Sequence, residues 1–514
     1  MASQRFAVRS VAIIGAGSSG LAAARYFAGQ GVYERIVVYE RRPEVGGIWN
    51  HTFQATPQNP VPQVSPYFPP DAPVQVHPGK GSDGPATPEF PTAMYDSLYV
   101  NIPHPLMGYT DMPIADFYKA AHPGKPLLIY PTRQTIQEYL VSCSQGVRHL
   151  IRFGTNVDDI RLLQQPSQEN DGTAVDSWEI HTTDTGDNST SVETFDAVIV
   201  AHGHYETTFV PAIAKIDEFH KAHPGVISHS KRYRNTEQFK GKRVIVVGNS
   251  ASGLDIASQI NEVSERPIFL SVHTPTAEEA LARFTEVEEV PEIKEFLIEE
   301  RGVRLADGRV VRDVDAVVFC TGFLFSLPFL EKEKPAEGKK TPEGLSPMLT
   351  TGRRIHRLYD DMVHIDHPTL AFLSLPIKVI PYPLAQAQSA ILARVWANTL
   401  ALPSKEEMEA WEREAEKVRG PAFHVWESGE DGSYINATYK RIMEGDNAAS
   451  RAGKEPPRWD GRLLWMRKIT PMGKGKFEDM GRTATTLEEL GFVYDPTAAD
   501  ASADSKQEHS GATP

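Results

Sequence analysis

Val11-Ala12-Ile13-Ile14-Gly15-Ala16-Gly17-Ser18-Ser19-Gly20 decides the fold. Its first four residues are an apolar, β-branched run of the kind that fills a buried parallel strand. The glycines follow in the frame G-x-G-x-x-G, and Leu21 to Ala28 reads as an alanine-rich helix. Ile36-Val37-Val38-Tyr39 is a second strand, and it ends at Glu40, about twenty residues past the last glycine. A glycine-rich turn alone is a weak signal. A turn that follows a strand, opens a helix and has an acid at the end of the next strand predicts a dinucleotide-binding βαβ unit. The glycines let the backbone approach a pyrophosphate, which rests on the positive helix N-terminus, and Glu40 accepts hydrogen bonds from ribose hydroxyls. Gly46-Gly47-Ile48-Trp49 comes shortly after; its double glycine allows close approach to a flat ring, while Trp49 reads equally as core packing.

The plan repeats. Arg243-Val244-Ile245-Val246-Val247 is a strand, Gly248-Asn249-Ser250-Ala251-Ser252-Gly253 a second turn in the same frame, and Leu254 to Ile260 a helix. The next strand, Pro267 to Val272, has Ser271 and His273 where the acid would stand. A carboxylate there would repel a 2′-phosphate, so its absence favours NADP over NAD. Protonated His273, Arg232 and Arg234 are the phosphate candidates, against the plainer reading of the arginines as solvated surface charge. Phe195-Asp196-Ala197-Val198-Ile199-Val200-Ala201 and Val314-Asp315-Ala316-Val317-Val318-Phe319 close the two halves with the same Asp-Ala-Val strand. The expected fold is therefore α/β, with two Rossmann-like dinucleotide-binding domains. The second is inserted in the first, because too little chain precedes residue 208 to finish the first sheet.

With 514 residues, more than one domain is expected. The expected boundaries are 1–208 for the first part of the outer domain, 209–317 for the insert, 318–496 for the second part with a C-terminal extension, and 497–514 for a disordered tail. Thr52 to Pro91, crowded with Pro, Gly, Gln and Ser, reads as a long functional or mobile loop.

Net charge is −14, from 53 basic and 67 acidic residues, which excludes nucleic acid and anionic membrane as main partners. Cys143 and Cys320 are the only cysteines. They form no Cys-x-x-Cys redox pair, so disulfide-reductase chemistry, a structural zinc site and a disulfide framework are all set aside. No metal site is expected. No stretch is long and apolar enough to span a bilayer, and no secretory leader is evident, so a reducing, cytoplasmic setting is expected. His202, His204, His364 and His367 have no acid that sequence alone pairs with them, and they read as structural; Cys320 reads as small buried packing.

Taken together, the motifs resemble the flavin-containing monooxygenases. Those that carry the resemblance are GAGSSG at 15–20, VVYER ending at Arg41, GGIW at 46–49, YDSLYVNIPHPLMGYTD from Tyr95 to Asp111, YPTRQTIQEYL from Tyr130 to Leu140, FKGKRVIVVGNSASGLD ending at Asp255, and VVFCTGF ending at Phe323. Gly225, His229, Tyr233 and Arg234 match the family signature that links the domains, with His223 in place of its phenylalanine. Baeyer–Villiger relatives carry Trp-Pro where Tyr233-Arg234 stands. Pro383, Gln386 and Gln388 give P-x-x-Q-x-Q where the family usually has P-x-x-E-x-Q.

The resemblance implies FAD and NADPH as cofactors, and a small-molecule substrate and molecular oxygen as partners. Reduced flavin would form a C4a-hydroperoxide whose distal oxygen passes to a soft sulfur or a free amine. It implies FAD contacts from Gly15, Ala16, Gly17, Ser18, Ser19, Gly20, Glu40, Arg41, Gly47, Ile48, Trp49, Val157, Thr321 and Gly322. For NADP it implies Asn101, Tyr233, Arg234, Gly248, Asn249, Ser250, Ser252, Gly253, Asp255 and His273. Asn101 would be the catalytic residue, since an amide donates and accepts without offering an acidic proton; capping of a turn before Pro103 is its structural alternative. Baeyer–Villiger oxygenation and a non-oxygenating NADPH oxidase or nucleotide-binding protein stand as alternatives, and a homodimer is left open.

Overall fold

The computed structural model describes residues 5–54, 60–76, 87–163, 173–174, 176–336, 338–341, 344–445 and 447–497. The expectation for the tail therefore lies, apart from Thr497, outside the described residues.

Two parallel sheets organise the chain. The first is seven-stranded. Its order across the sheet is Leu358–Tyr359, Val363–His364, Leu370–Phe372, Ala197–Val200, Ser10–Ile14, Arg35–Tyr39 and Ile151–Arg152. From Leu370–Phe372 onward the neighbours are parallel, and the first two strands form an antiparallel edge. Its inner strand Ser10–Ile14 is buried along Val11–Ile14, as expected of a strand covered on both faces. The helix Ser18–Gln30 packs along the helix Pro381–Trp396, with Phe27 and Trp396 ring centroids 5.5 Å apart. Strand Leu370–Phe372 thus completes a sheet begun more than 350 residues earlier, as its register of Val198 with Leu370 shows.

The second sheet is five-stranded and parallel, in the order Ile227–His229, Ala316–Phe319, Val244–Val247, Ile268–Val272 and Val287–Pro291. It lies within the chain of the first. The crossings are adjacent: Thr207–Thr208 going out pairs antiparallel with Phe323–Leu324 coming back. The fold is the expected pair of Rossmann-like units, one inserted in the other.

Both helices after the glycine turns begin earlier than the apolar pattern suggested, at Ser18 and Ala251. The turn itself supplies the cap residue, Gly17 or Ser250, so the polar first turn is already helical. The segment read as a loop holds a short antiparallel pair, Val74–Val76 with Thr87–Glu89, and Gln63 bridges to Val210.

Candidate active site

The two glycine turns open onto one continuous cleft of about 1750 Å³. Each turn is built by the same contacts. Gly15 has φ +100° and Gly248 φ +104°, left-handed values that favour glycine. A Cβ on Gly20 would sit 1.8 Å from the Gly15 carbonyl oxygen, and one on Gly253 2.0 Å from that of Gly248. The third glycine is thus required by helix-on-strand packing. Neither helix has a side-chain cap, so its first N–H groups are left to the cleft. Uncapped N–H groups on helices of 13 and 11 residues suit a phosphate, and the residues present fit two dinucleotides.

On the first side, Glu40 is buried; its two oxygens accept from the N–H groups of Ala16 and Arg42, each at 2.9 Å. A carboxylate keeps further acceptor positions, and Glu40 lines the cleft. Gly47 stands against the first turn, where its Cβ would meet Gly17 Cα at 3.1 Å. Of the residues assigned to the first nucleotide, Gly15, Gly17, Ser18, Ser19, Glu40, Arg41, Gly47, Ile48, Trp49, Val157, Thr321 and Gly322 line the cleft, while Ala16 and Gly20 lie behind it. Trp49 lines the cleft and packs on the core.

On the second side, Gly248, Asn249, Ser250, Ser252 and Asp255 line the cleft, and Asn101 stands on the shared wall. The Asn101 amide has no hydrogen-bond partner among the described residues. Asn249 ties its turn to the next loop, donating to Thr274 O and Thr276 Oγ1, each at 2.9 Å.

Tyr233, Arg234, Gly253 and His273 are not part of this lining. Tyr233 is buried and donates to Gln259 Oε1 at 3.0 Å. The Arg234 guanidinium donates to four backbone carbonyls, those of Lys231, Tyr233, Gln54 and Thr92. Both Nη atoms are thus taken up by carbonyls, and the remaining Nε is buried. The His273 side chain is 83% exposed and 3.0 Å from Glu292, so it projects into solvent beside an acid. Arg283, which the sequence did not single out, is the cation of the second unit that lines the cleft among the described residues.

Further residues emerge only in the structure. Lys231, 1% exposed, bridges Asp71 at 2.8 Å and Glu206 at 3.1 Å. Burial alone would raise the Glu206 carboxyl, but Arg41, Lys231 and Arg42 outweigh it and hold it down at about 2. The short segment around Pro70–Pro73 and Phe90 covers this side, with Arg41 over the Phe90 ring at 4.6 Å. Much of the opposite wall comes from 376–382 and the helix Gly461–Asp479.

Gln386, fully buried, accepts from Thr110 N at 3.0 Å and donates to Asp111 Oδ1 at 2.7 Å. The other oxygen of Asp111 is paired with Arg25 and Lys454.

The cysteines are buried, and burial pushes both thiols up to about 12, which leaves them unreactive. His202 bonds to Ser326 O at 3.1 Å and lines the cleft, with burial pushing it down to about 4. The reading of His367 as lacking an acid is corrected: Asp176 lies 3.3 Å from its Nδ1, brought there by tertiary pairing across 191 residues. Among the described residues no cluster of His, Cys, Asp and Glu could hold a metal, and no helix is long and apolar enough to cross a membrane.

Comparison with known proteins gives a consistent picture. A flavin-binding monooxygenase-like family model matches residues 86–286, and an NAD(P)-binding Rossmann-like model matches 13–72. The thiol-specific monooxygenase of Saccharomyces cerevisiae is 30% identical over 469 residues, covering 89% of this chain and 90% of its own. The flavin-containing monooxygenase FMO GS-OX-like 7 of Arabidopsis thaliana is 32% identical, covering 78% of this chain and 75% of its own. Among solved structures, the S-allyl-L-cysteine S-oxygenase of Allium sativum superposes with a TM-score of 0.66 at 22% identity, covering 98% of this chain and 99% of that one.

Proposed function

Since the chain belongs to the flavin-containing monooxygenase family, whose members use FAD and NADPH, we propose that it transfers one atom of molecular oxygen to a nucleophilic sulfur or nitrogen of a small molecule. The balance is substrate, O₂, NADPH and a proton in; oxygenated substrate, NADP⁺ and water out. The single observation that carries this reading is the continuity of the cleft: both glycine turns and Asn101 line the same space.

FAD, when bound and reduced, supplies the activation of oxygen. The protein's part is to hold, orient and exclude water. The Gly15–Gly20 turn and the N-terminus of Ser18–Gln30 hold one pyrophosphate, and Glu40 accepts from the adjoining ribose. The Gly248–Gly253 turn holds the second, with Arg283 as the nearby cation in place of His273. Asn101 presents to the cleft an amide that would donate to and accept from the bound rings without releasing a proton. Trp49, Phe90 and Met107 make that wall apolar. The thiol-specific relative, matched over nine-tenths of its length, supports sulfur as the preferred atom.

The test is a product screen of the FAD-loaded protein with NADPH in air, offering thiols, thioethers, tertiary amines and cyclic ketones. A mass gain of one oxygen on the sulfur or nitrogen compounds is expected. Hydrogen peroxide as the sole product, or lactone formation outpacing sulfoxidation, would overturn the proposal in favour of an oxidase or a Baeyer–Villiger enzyme.

A further inference from the structure

The two peptide carbonyls directly before Asn101 belong to Tyr99 and Val100. Both accept from one donor, Lys474 Nζ, at 2.9 and 3.3 Å. Lys474 lies on the helix Gly461–Asp479, and its side chain is 15% exposed. Its ammonium is 3.5 Å from Glu478, one turn on. Glu478 also pairs with Arg283 of the second nucleotide unit and abuts Asp255 on that unit's helix. The Tyr95 hydroxyl donates to Asp255, and Ser97 Oγ donates to Gln259 of the same helix at 2.7 Å. The strap from Tyr95 to Asn101 is therefore fastened at its start to the second unit and at its end both to Lys474 and, through Val100 N–H to Pro131 O at 2.9 Å, to the neighbouring backbone.

We infer that Lys474 is a positioning residue for oxygen transfer: by holding the Tyr99 and Val100 carbonyls it sets Asn101 on the cleft wall, and through Glu478 and Asp255 it ties that setting to the second nucleotide unit. The inference rests on the proposed role of Asn101. The charges facing Lys474 are those of Asp255, Glu478 and Arg482, with Arg283 and Asp479 behind Glu478. Burial raises the Asp255 carboxyl, while Lys474 and Arg283 hold that of Glu478 down, so Glu478 is the counter-ion of Lys474. The ammonium donates to two carbonyls and is ion-paired with one carboxylate at 3.5 Å. Met at 474 would fill the same space and satisfy none of them.

Two readouts test this on the full chain. In the cofactor-free protein, amide hydrogen exchange followed by mass spectrometry should quicken about tenfold in peptides covering 95–103 on Lys474→Met. In the FAD-loaded protein, the same variant should release several-fold more of the consumed NADPH as hydrogen peroxide instead of product. Lys474→Arg, which donates to the same carbonyls, should restore most of both. Lys468→Met, on the exposed face of the same helix, should change neither. Should Lys474→Met fail to fold, Glu478→Gln supplies the second test, with a smaller shift in the same direction. Parental exchange at 95–103 together with a parental peroxide fraction in a folded variant would overturn the inference. A parent enzyme that makes neither product nor peroxide would sink the functional reading instead, while the exchange measurement would still decide the place of Lys474.

Discussion

The two glycine turns are near copies in backbone but lead into strands with unlike ends. In both, the third glycine lies under 2.1 Å, counted from its would-be Cβ, from the carbonyl of the first, and in both a Cβ on the first glycine would lie 2.8 Å from a carbonyl of the neighbouring strand: Ala201 O in one unit, Cys320 O in the other. Beyond the helices the likeness stops. The first unit's next strand ends at Glu40, 3% exposed and held by two backbone N–H groups. The second unit's ends at buried Ser271, which donates to Pro291 O, and at His273 in solvent. Close packing dictates the turn, which therefore repeats; the strand end is free of that constraint and therefore does not.

The strongest way to break this comparison is to place a methyl at each third glycine. Overlap with a backbone oxygen should cost about 3 kcal/mol or more. Gly20→Ala is expected to lose flavin, while Gly253→Ala keeps flavin absorbance and loses its bleaching by NADPH without air; equal loss of both in both variants would show that the units do not divide the cofactors.

Next in size is Lys231, the second unit's bond to Asp71 and Glu206 of the first. Glu206 sits below its unfolded value of about 4.5, so its stabilisation is complete above that pH and drains away as pH falls toward about 2. Lys231→Met should cost about 3 kcal/mol at neutral pH in urea unfolding. It should also move the onset of acid unfolding to higher pH.

Glu40→Gln removes a charged acceptor, and weakening of flavin binding by about 2 kcal/mol, read by fluorescence titration, is expected. The smallest effect sharpens the contrast: His273→Glu, outside the cleft, should alter the NADPH-to-NADH preference by less than about 0.5 kcal/mol, a ratio measured from the two initial rates.

Much of the fold was legible because both turns combine a buried strand, a glycine frame and a helix start within a few residues. The Glu40 position was legible for the same reason. What escaped was set by contacts between distant segments. Thr470-Pro471-Met472-Gly473-Lys474-Gly475 is rich in helix breakers, yet lies inside the helix Gly461–Asp479. The glycines there admit neighbours: a Cβ on Gly473 would overlap the Tyr130 hydroxyl at 2.0 Å, and one on Gly475 would crowd Arg283 at 3.0 Å. With partners on several sides, no single apolar stripe is left to read. Arg234 is turned away from the cleft partly by the carbonyls of Gln54 and Thr92, which lie far away in sequence.

The neck between Thr207–Thr208 and Phe323–Leu324 makes the second unit a cassette. Its two ends leave the host as neighbouring rungs of one ladder, so removing it and bridging the stumps with a tight hairpin closes a short loop at small entropic cost. The host sheet would keep its strand order without it, and a foreign nucleotide module whose ends are equally close could be spliced at the same neck.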